Sequence, residues 1–192
     1  MTTILLSYNE VQSLARKAAG GAGLPYGMAE DIGRAAVWLS ARGVDAVGIA
    51  VAALGDNAQG GQALLFGQAA IDALCCGETE RISLQGRKES AVLIGLAGAA
   101  AMETGLNIGL ERENGDVVPL AGVSDASGLM TDMTALRRLP DAYASVCPGT
   151  PRPAATAAAA YAAALALAAR TYVPASDFSR TRGAGAGTTD ND

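Results

Sequence analysis

The stretch SYNEVQSLARKAAGGAGLPYGMAEDIGRAAVWLSARG, residues 7–43, decides the architecture because it holds two helical patterns joined by a glycine-rich turn. Ser7 and Glu10 have the spacing of a capping box, in which each side chain accepts a hydrogen bond from the other residue's backbone amide. Apolar residues recur at helical spacing in both patterns: Val11, Leu14, Ala15 and Ala18, then Met28, Ile32, Ala35, Ala36 and Leu39. We therefore expect a helical hairpin, with Gly43 as its left-handed stop.

The middle of the chain alternates between helical and extended patterns. We expect three helices in this region: one over residues 45–56, one from a break at Gly60-Gly61 to Gly77, and one over residues 90–102. A short strand is expected over residues 81–85. Gly95 and Ala99 allow another element to approach the last of these helices closely. Residues 132–139 favour a short helix and residues 142–147 a final strand.

A β-hairpin is predicted near residues 106–120. Leu106, Ile108 and Leu110 alternate toward Asn114-Gly115, and such an Asn-Gly pair is a strong hairpin signal. Pro119 has no amide to donate, so the second strand is expected at a sheet edge.

Proline and alanine divide the C-terminal region. The sequence predicts an α+β domain over residues 1–147 with a small, mostly antiparallel sheet, a linker over 148–153, an alanine-rich helix over 154–171 and a glycine-rich docking tail over 172–192. The alanine-rich segment is shorter than the roughly 20 apolar residues that cross a bilayer, so no membrane span is predicted.

Composition excludes several kinds of chemistry. The chain has 14 basic and 19 acidic residues, and its net charge of -5 argues against nucleic acid as a partner. It contains no histidine, which excludes imidazole-dependent triads and the usual catalytic zinc and iron sites, so we predict neither a metal nor a cofactor. Three cysteines without ligand spacing and the absence of a secretory pattern favour the cytoplasm. Cys75-Cys76 is interpreted as core packing rather than a redox pair.

Arg34, Trp38 and Arg42 recur every four residues and offer two interpretations. They form either a cationic shelf for a small anionic ligand, with the indole as its floor, or an exposed flank where arginine stems cover the ring. The sequence favours the exposed flank.

The tail has no evident folding purpose. Ordering a residue costs roughly 1–2 kcal/mol of backbone entropy, and residues 183–192 have no bulky side chain to offset that cost. We expect a partner or ligand to hold the tail, against the alternative of a solvated acidic end. Gly183-Ala-Gly-Ala-Gly187 is not interpreted as a nucleotide loop, because no helix follows it. The predicted contact residues are Tyr172, Asp177, Phe178, Ser179, Arg180 and Arg182.

Both ends of the chain resemble a known bacterial family. The residues that carry the resemblance are Ala18–Gly27, Gly33–Leu39, Arg170–Arg180, Gly183–Gly187 and Asp190–Asp192. They are similar to the family catalogued as domain of unknown function 3726. This resemblance implies no particular activity.

Residues 7–48, ending Arg42-Gly-Val-Asp-Ala-Val-Gly48, also resemble the helical start of the type 2 malate/L-lactate dehydrogenases. In that family an Asp-Ser-His-Gly run carries the catalytic histidine, and Val47 stands at that position here. The resemblance implies a shared helical module without the hydride-transfer mechanism, and only Asp45 matches the motif.

Two functional hypotheses follow. The first is a non-catalytic accessory or binding protein that contacts a metabolic enzyme, or its own subunits in a homo-oligomer, through the tail. The alternative is an enzyme for a small anionic metabolite. In that enzyme Arg34, Arg42, Arg180 or Arg182 would hold a carboxylate, and Asp45, Asp177 or Tyr172 would transfer a proton.

Overall fold

The computed structural model describes residues 2–55, 58–127, 132–140 and 148–172, which form an α+β fold. Its helices are α1 (Tyr8–Gly21), α2 (Tyr26–Ser40), α3 (Ala46–Leu54), α4 (Ala58–Cys76), α5 (Ser90–Thr104) and α6 (Ala158–Ala169). Its strands are β1 (Thr3–Ile4), β2 (Arg81–Ser83), β3 (Ile108–Arg112), β4 (Val117–Pro119), β5 (Met133–Arg138) and β6 (Thr156–Ala157).

The predicted helical hairpin is confirmed in α1 and α2, which pack against each other. The Ser7 amide donates to Glu10 Oε2 at 2.7 Å, and the Glu10 amide donates to Ser7 Oγ at 3.3 Å. The bonds from Ser7 lower the pKa of the Glu10 carboxyl. All the apolar residues predicted to face inward are buried, and Gly43 adopts the left-handed conformation with φ +82°. The remaining faces of α2 contact α3 and α5.

The predicted break at Gly60-Gly61 is wrong, because α4 runs straight through both glycines. A methyl group on Gly60 would lie 2.6 Å from the carbonyl oxygen of Ala53, at the end of α3. Gly60 is therefore explained by a close approach of two helices rather than by a turn.

The predicted β-hairpin is confirmed as β3 and β4. Gly115 has φ +86°, and its amide donates to the Arg112 carbonyl at 3.0 Å, which is typical of a three-residue hairpin loop with a left-handed glycine. The sheet is antiparallel in the order β2-β5-β3-β4, so the strand that contains Pro119 lies at an edge as predicted. Its inner face packs against α4 and α5.

Residues 132–139 do not form the predicted helix, because Met133–Arg138 is the strand β5 at the centre of the sheet. Leu136 lies between Ile82 of β2 and Leu110 of β3, and all three side chains are buried. Pairing on both sides outweighs the helical propensity of a short Ala-Leu-Arg sequence.

The segment predicted as a linker is hydrogen-bonded to the end of α2. The amide of Thr150 donates to the Ala41 carbonyl at 3.0 Å, and the amide of Ala154 donates to the Ser40 carbonyl at 3.1 Å. Carbonyl groups at a helix C-terminus have no partner within the helix, so these bonds satisfy them. The segment thereby leads into β6, which pairs with β1.

Helix α6 packs against α1 and α3. Its Ala164, Leu167 and Ala168 are buried, and a methyl group on Gly21 of α1 would overlap the carbonyl of Leu167. The strand predicted over residues 142–147 and the tail beyond Tyr172 lie outside the described residues.

Within the described ranges, no helix combines the length and the apolar character needed to cross a bilayer.

Replacing Gly21 with alanine should lower the free energy of unfolding by about 1–3 kcal/mol, because the added methyl forces α1 and α6 apart. Gly27→Ala is the matched control, since Gly27 is exposed in α2 and nothing lies within 4 Å of the new methyl. The free energy of unfolding of this control should rise by up to about 1 kcal/mol, because alanine has a higher helix propensity than glycine. Urea unfolding followed by circular dichroism measures both changes, and a stable Gly21→Ala protein would contradict the close contact.

Candidate ligand cavity

A cavity of about 260 Å³ lies between α2 and α5, close to the C-terminal end of α2. Its lining is mostly apolar and includes two guanidinium groups and one carboxylate. The lining residues are Gln12, Arg34, Val37, Trp38, Ala41, Arg42, Ala99, Met102, Glu103 and Gly149. The structure thus brings the sequence-predicted trio Arg34, Trp38 and Arg42 to one cavity.

The exposed-flank interpretation of this trio is wrong for Trp38 and Arg42, which are only 3% and 2% exposed. The Arg42 guanidinium carbon lies 4.0 Å from the centre of the Trp38 ring, a cation–π arrangement. Arg42 Nη1 donates to the Trp38 carbonyl at 3.1 Å, and Nη2 donates to Met102 Sδ at 3.7 Å. Packing of α5 over this face of α2 explains the burial, because α5 covers the side that the sequence pattern left open.

Two glycines of α5 make room for this arrangement. A methyl group on Gly98 would overlap ring carbons of Trp38, and one on Gly95 would lie 2.8 Å from Leu39 Cδ1. Close approach was predicted for this helix at Gly95, and Gly98 is a second contact point.

The indole Nε1 of Trp38 is buried and has no hydrogen-bond acceptor among the residues that the structure describes. A buried donor left in this state costs roughly 1–3 kcal/mol. In native proteins such groups usually have a partner in protein, water or ligand. The donor belongs to a residue that lines the cavity.

Arg34 is surrounded by carboxylates. It pairs with Asp31 one turn earlier, and its Nε lies 3.1 Å from Glu103 Oε1 on α5. Desolvation works in the opposite direction, but these acidic neighbours raise the pKa of the Arg34 guanidinium. Arg34 therefore contributes little free positive charge to the cavity.

The segment that begins at residue 148 forms one wall of the cavity through Gly149. A methyl group on Gly149 would lie 2.6 Å from the Cβ of Ala41. Tyr8 of α1 donates to the carbonyl of Thr150 at 2.7 Å and holds the same segment from the other side. The wall is thus fixed by contacts to α1 and α2.

A second cavity of about 280 Å³ lies on the other side of the Arg34–Glu103 pair and is bordered by Asp31, Gln68, Asp72 and Cys75. Desolvation raises the pKa of the Cys75 thiol, and the charge of Asp72 acts in the same direction. The thiol is therefore not activated as a thiolate. Cys75 packs partly against the core, whereas Cys76 is exposed, so the packing interpretation of the pair holds for Cys75 alone.

The other predicted site residues lie elsewhere. Tyr172 is 62% exposed and borders a groove of about 160 Å³ between α1 and α6, which we call the α1–α6 groove. Asp177, Phe178, Ser179, Arg180 and Arg182 lie outside the described residues.

Asp45 has a structural use. Its Oδ1 accepts from the amide of Gly48 at 3.0 Å and caps α3, and its Oδ2 accepts from the amide of Ala157 in β6 at 2.9 Å. Both carboxylate oxygens are thus engaged in holding the backbone together.

Sequence reasoning missed Met102, Glu103 and Gly149 as cavity residues. Met102 and Glu103 follow Gly95 and Gly98 at helical spacing on α5, so a close helix contact at the glycines would have placed them next to α2. Gly149 was assigned to a linker, and no local signal placed it beside Ala41.

Comparison with known proteins supports the resemblance in the N-terminal part of the chain. Residues 6–58 match the model of the family described as "Protein of unknown function (DUF3726)". The matched segment spans α1, α2 and α3 and includes the predicted trio. No curated protein and no solved structure matches the chain. The resemblance to the type 2 malate/L-lactate dehydrogenases finds no support in these comparisons.

Replacing Gly98 with alanine should displace Trp38, because the added methyl overlaps its ring. We expect the free energy of unfolding to fall by about 1–3 kcal/mol, with a changed near-UV circular dichroism band and a red-shifted emission of Trp38, the single tryptophan of the chain. Gly61→Ala in α4 is the control, since its methyl would make an ordinary 3.5 Å contact with Leu24. An unchanged tryptophan signal in Gly98→Ala would contradict the packing described.

Proposed function

We propose that this protein is a non-catalytic binding protein that holds a small carboxylate ligand in the cavity between α2 and α5. The observation that carries the proposal is the Arg42 guanidinium, which is buried, stacked on Trp38 and part of the cavity wall. A guanidinium in such a position favours an anion, because a charge-assisted hydrogen bond is stronger at a site shielded from water.

Arg42 places a buried cationic group in the cavity wall. A carboxylate matches the planar guanidinium through two parallel hydrogen bonds.

Trp38 adds a second donor for the same ligand. Its buried Nε1 has no acceptor within the described part of the chain, and a ligand oxygen in the cavity would provide one. An indole N–H from α2 and a guanidinium from the turn after it would then bind the same anionic group.

The size and lining of the cavity define the rest of the ligand. Its volume of about 260 Å³ is slightly below the roughly 300–1,000 Å³ of ordinary small-molecule sites. Val37, Ala41, Ala99 and Met102 supply apolar walls. The ligand that fits this lining has a short apolar body and one carboxylate.

An enzymatic function receives less support. Glu103 is the one carboxylate among the described lining residues, and it is paired with Arg34. The oxygens of Asp45, the proposed proton-transfer group, are occupied by backbone amides. The cavity therefore favours binding over proton transfer.

Titration with 3-methylbutanoate tests the proposal, with 3-methylbutanamide as its neutral counterpart. Because Trp38 lines the cavity, its fluorescence should change saturably with the carboxylate and remain unchanged with the amide. Arg42→Met should weaken carboxylate binding at least about tenfold, the effect of losing one charge-assisted contact. Glu103→Gln should strengthen it, because a negative charge leaves the cavity wall.

Arg170→Met and Glu113→Gln are the matched controls, since both residues are exposed and lie away from the cavity lining. Neither control should alter the affinity. Equal binding of the acid and the amide, or binding that survives Arg42→Met, would overturn the proposal.

Contact with another protein through the tail is a second candidate function. The observation that favours it is Tyr172, an exposed aromatic side chain at the end of α6 beside the α1–α6 groove. Exposed aromatic residues are enriched at protein interfaces, and the residues that follow add the predicted contacts Phe178, Arg180 and Arg182. The partner would be a metabolic enzyme or a second copy of this chain.

Deleting residues 183–192 tests this second function. The melting temperature should stay within about 2 °C, as for a surface change, while a co-purifying partner identified by mass spectrometry is lost. Tyr172→Ala should weaken the same association. A large drop in melting temperature on deletion would instead show that these residues serve folding.

A further inference from the structure

Met102 is exposed to solvent although its sulfur is bonded to a buried guanidinium. The side chain is 53% exposed and lines the cavity between α2 and α5. Its Sδ accepts a hydrogen bond from Nη2 of Arg42 at 3.7 Å. A thioether sulfur is a weak acceptor, so the guanidinium gains little from this bond. An oxygen atom in the same place would be a much stronger acceptor.

The other methionines of the described ranges lack this combination. Met28 is only 6% exposed and belongs to the core, and Met133 of β5 is partly buried against it. Oxidation turns the apolar side chain of methionine into a polar one, which disrupts a core. Met102 can carry an added oxygen without that cost, because solvent reaches its side chain and a donor already lies at its sulfur.

We propose that Met102 is a site of reversible oxidation by hydrogen peroxide, and that its sulfoxide oxygen binds the guanidinium of Arg42. A lone pair of Sδ attacks one peroxide oxygen, and the O–O bond breaks as the S–O bond forms. The released hydroxide takes the remaining proton and leaves as water. The sulfur is oxidised by two electrons and the peroxide is reduced by the same two. A methionine sulfoxide reductase restores the thioether.

The observed contact explains why the oxidised side chain would keep its place. Nη2 of Arg42 is directed at the sulfur, so rotation about the Cγ–Sδ bond of Met102 brings the new oxygen to the same N–H group. Hydrogen bonds from a charged donor are short and roughly twice as strong as neutral ones. The oxygen takes over the donor that the sulfur uses now. The contacts of Arg42 with the ring and the carbonyl of Trp38 therefore remain.

Trp38 is positioned to report the change. The guanidinium carbon of Arg42 lies 4.0 Å from the centre of its ring. A stronger bond to Met102 alters the position of that charge relative to the indole, and a polar sulfoxide replaces an apolar part of the cavity lining. Since Trp38 is the single tryptophan, emission of the whole protein follows this one site. The proposal is independent of the carboxylate ligand proposed above.

Brief treatment of the folded protein with hydrogen peroxide, followed by tryptic digestion and mass spectrometry, tests the site. Met28 and Met102 fall in separate peptides, residues 18–34 and 89–112. Met102 should be oxidised at least about tenfold faster than Met28, which must wait for local opening of the core. In urea the two rates should become equal. Equal rates in the folded protein would overturn the site.

Tryptophan emission and urea unfolding test the contact with Arg42. Emission should change at the rate at which Met102 is oxidised, and it should return after treatment with the two methionine sulfoxide reductases, which act on one epimer each. Protein oxidised at Met102 alone should unfold at a urea concentration no lower than the reduced protein. An unchanged emission, or a lower urea midpoint, would show that the oxygen does not bind the guanidinium.

Two volume-conserving variants are the matched controls. Met102→Leu should abolish the emission change with peroxide, although the exposed thiol of Cys76 is still present. Met133→Leu should retain the full change. An emission change that persists in Met102→Leu would assign the effect to another residue and overturn the proposal.

Discussion

The contact between α2 and α5 at two glycines is the constraint on which the cavity depends. Because Gly95 and Gly98 have no side chains, the Leu39 and Trp38 side chains of α2 reach the backbone of α5. Closely packed interiors tolerate little added volume, so the position of the indole is fixed by this contact. The guanidinium of Arg42 stacks on this fixed ring. Met102 and Glu103, on the next turn of α5, form the opposite wall of the cavity.

Arg34 in α2 and Arg42 just after it show how packing gives one residue type two different surroundings. Arg34 lies where α5 presents Glu103 and its own helix presents Asp31, so its charge is compensated. Arg42 stacks on Trp38 and donates to the thioether of Met102 on α5. The two arginines thus have different surroundings, which their spacing along the chain does not reveal.

Local signals were sufficient for some elements and misleading for others. The capping box at Ser7, the apolar stripes of α1 and α2 and the Asn-Gly hairpin depend on neighbouring residues, and sequence patterns report such interactions directly. Strand β5 depends on two partners that are distant in sequence, and Gly60 depends on the end of α3, so both were misread as local features. For the cavity, the trio Arg34, Trp38 and Arg42 was found from spacing, but its burial and the contribution of Glu103 follow from the packing of α5.

The pairing of β1 with β6 joins residues that are more than 150 positions apart, since Thr3 lies opposite Ala157. Contacts of such high sequence separation carry a large loop-closure cost and slow folding. During synthesis α1 must also wait for α6, which covers it but emerges from the ribosome much later. Until then the nascent chain exposes an apolar surface of α1, and chaperone protection would matter most during this interval. The chain can complete its fold only near the end of translation.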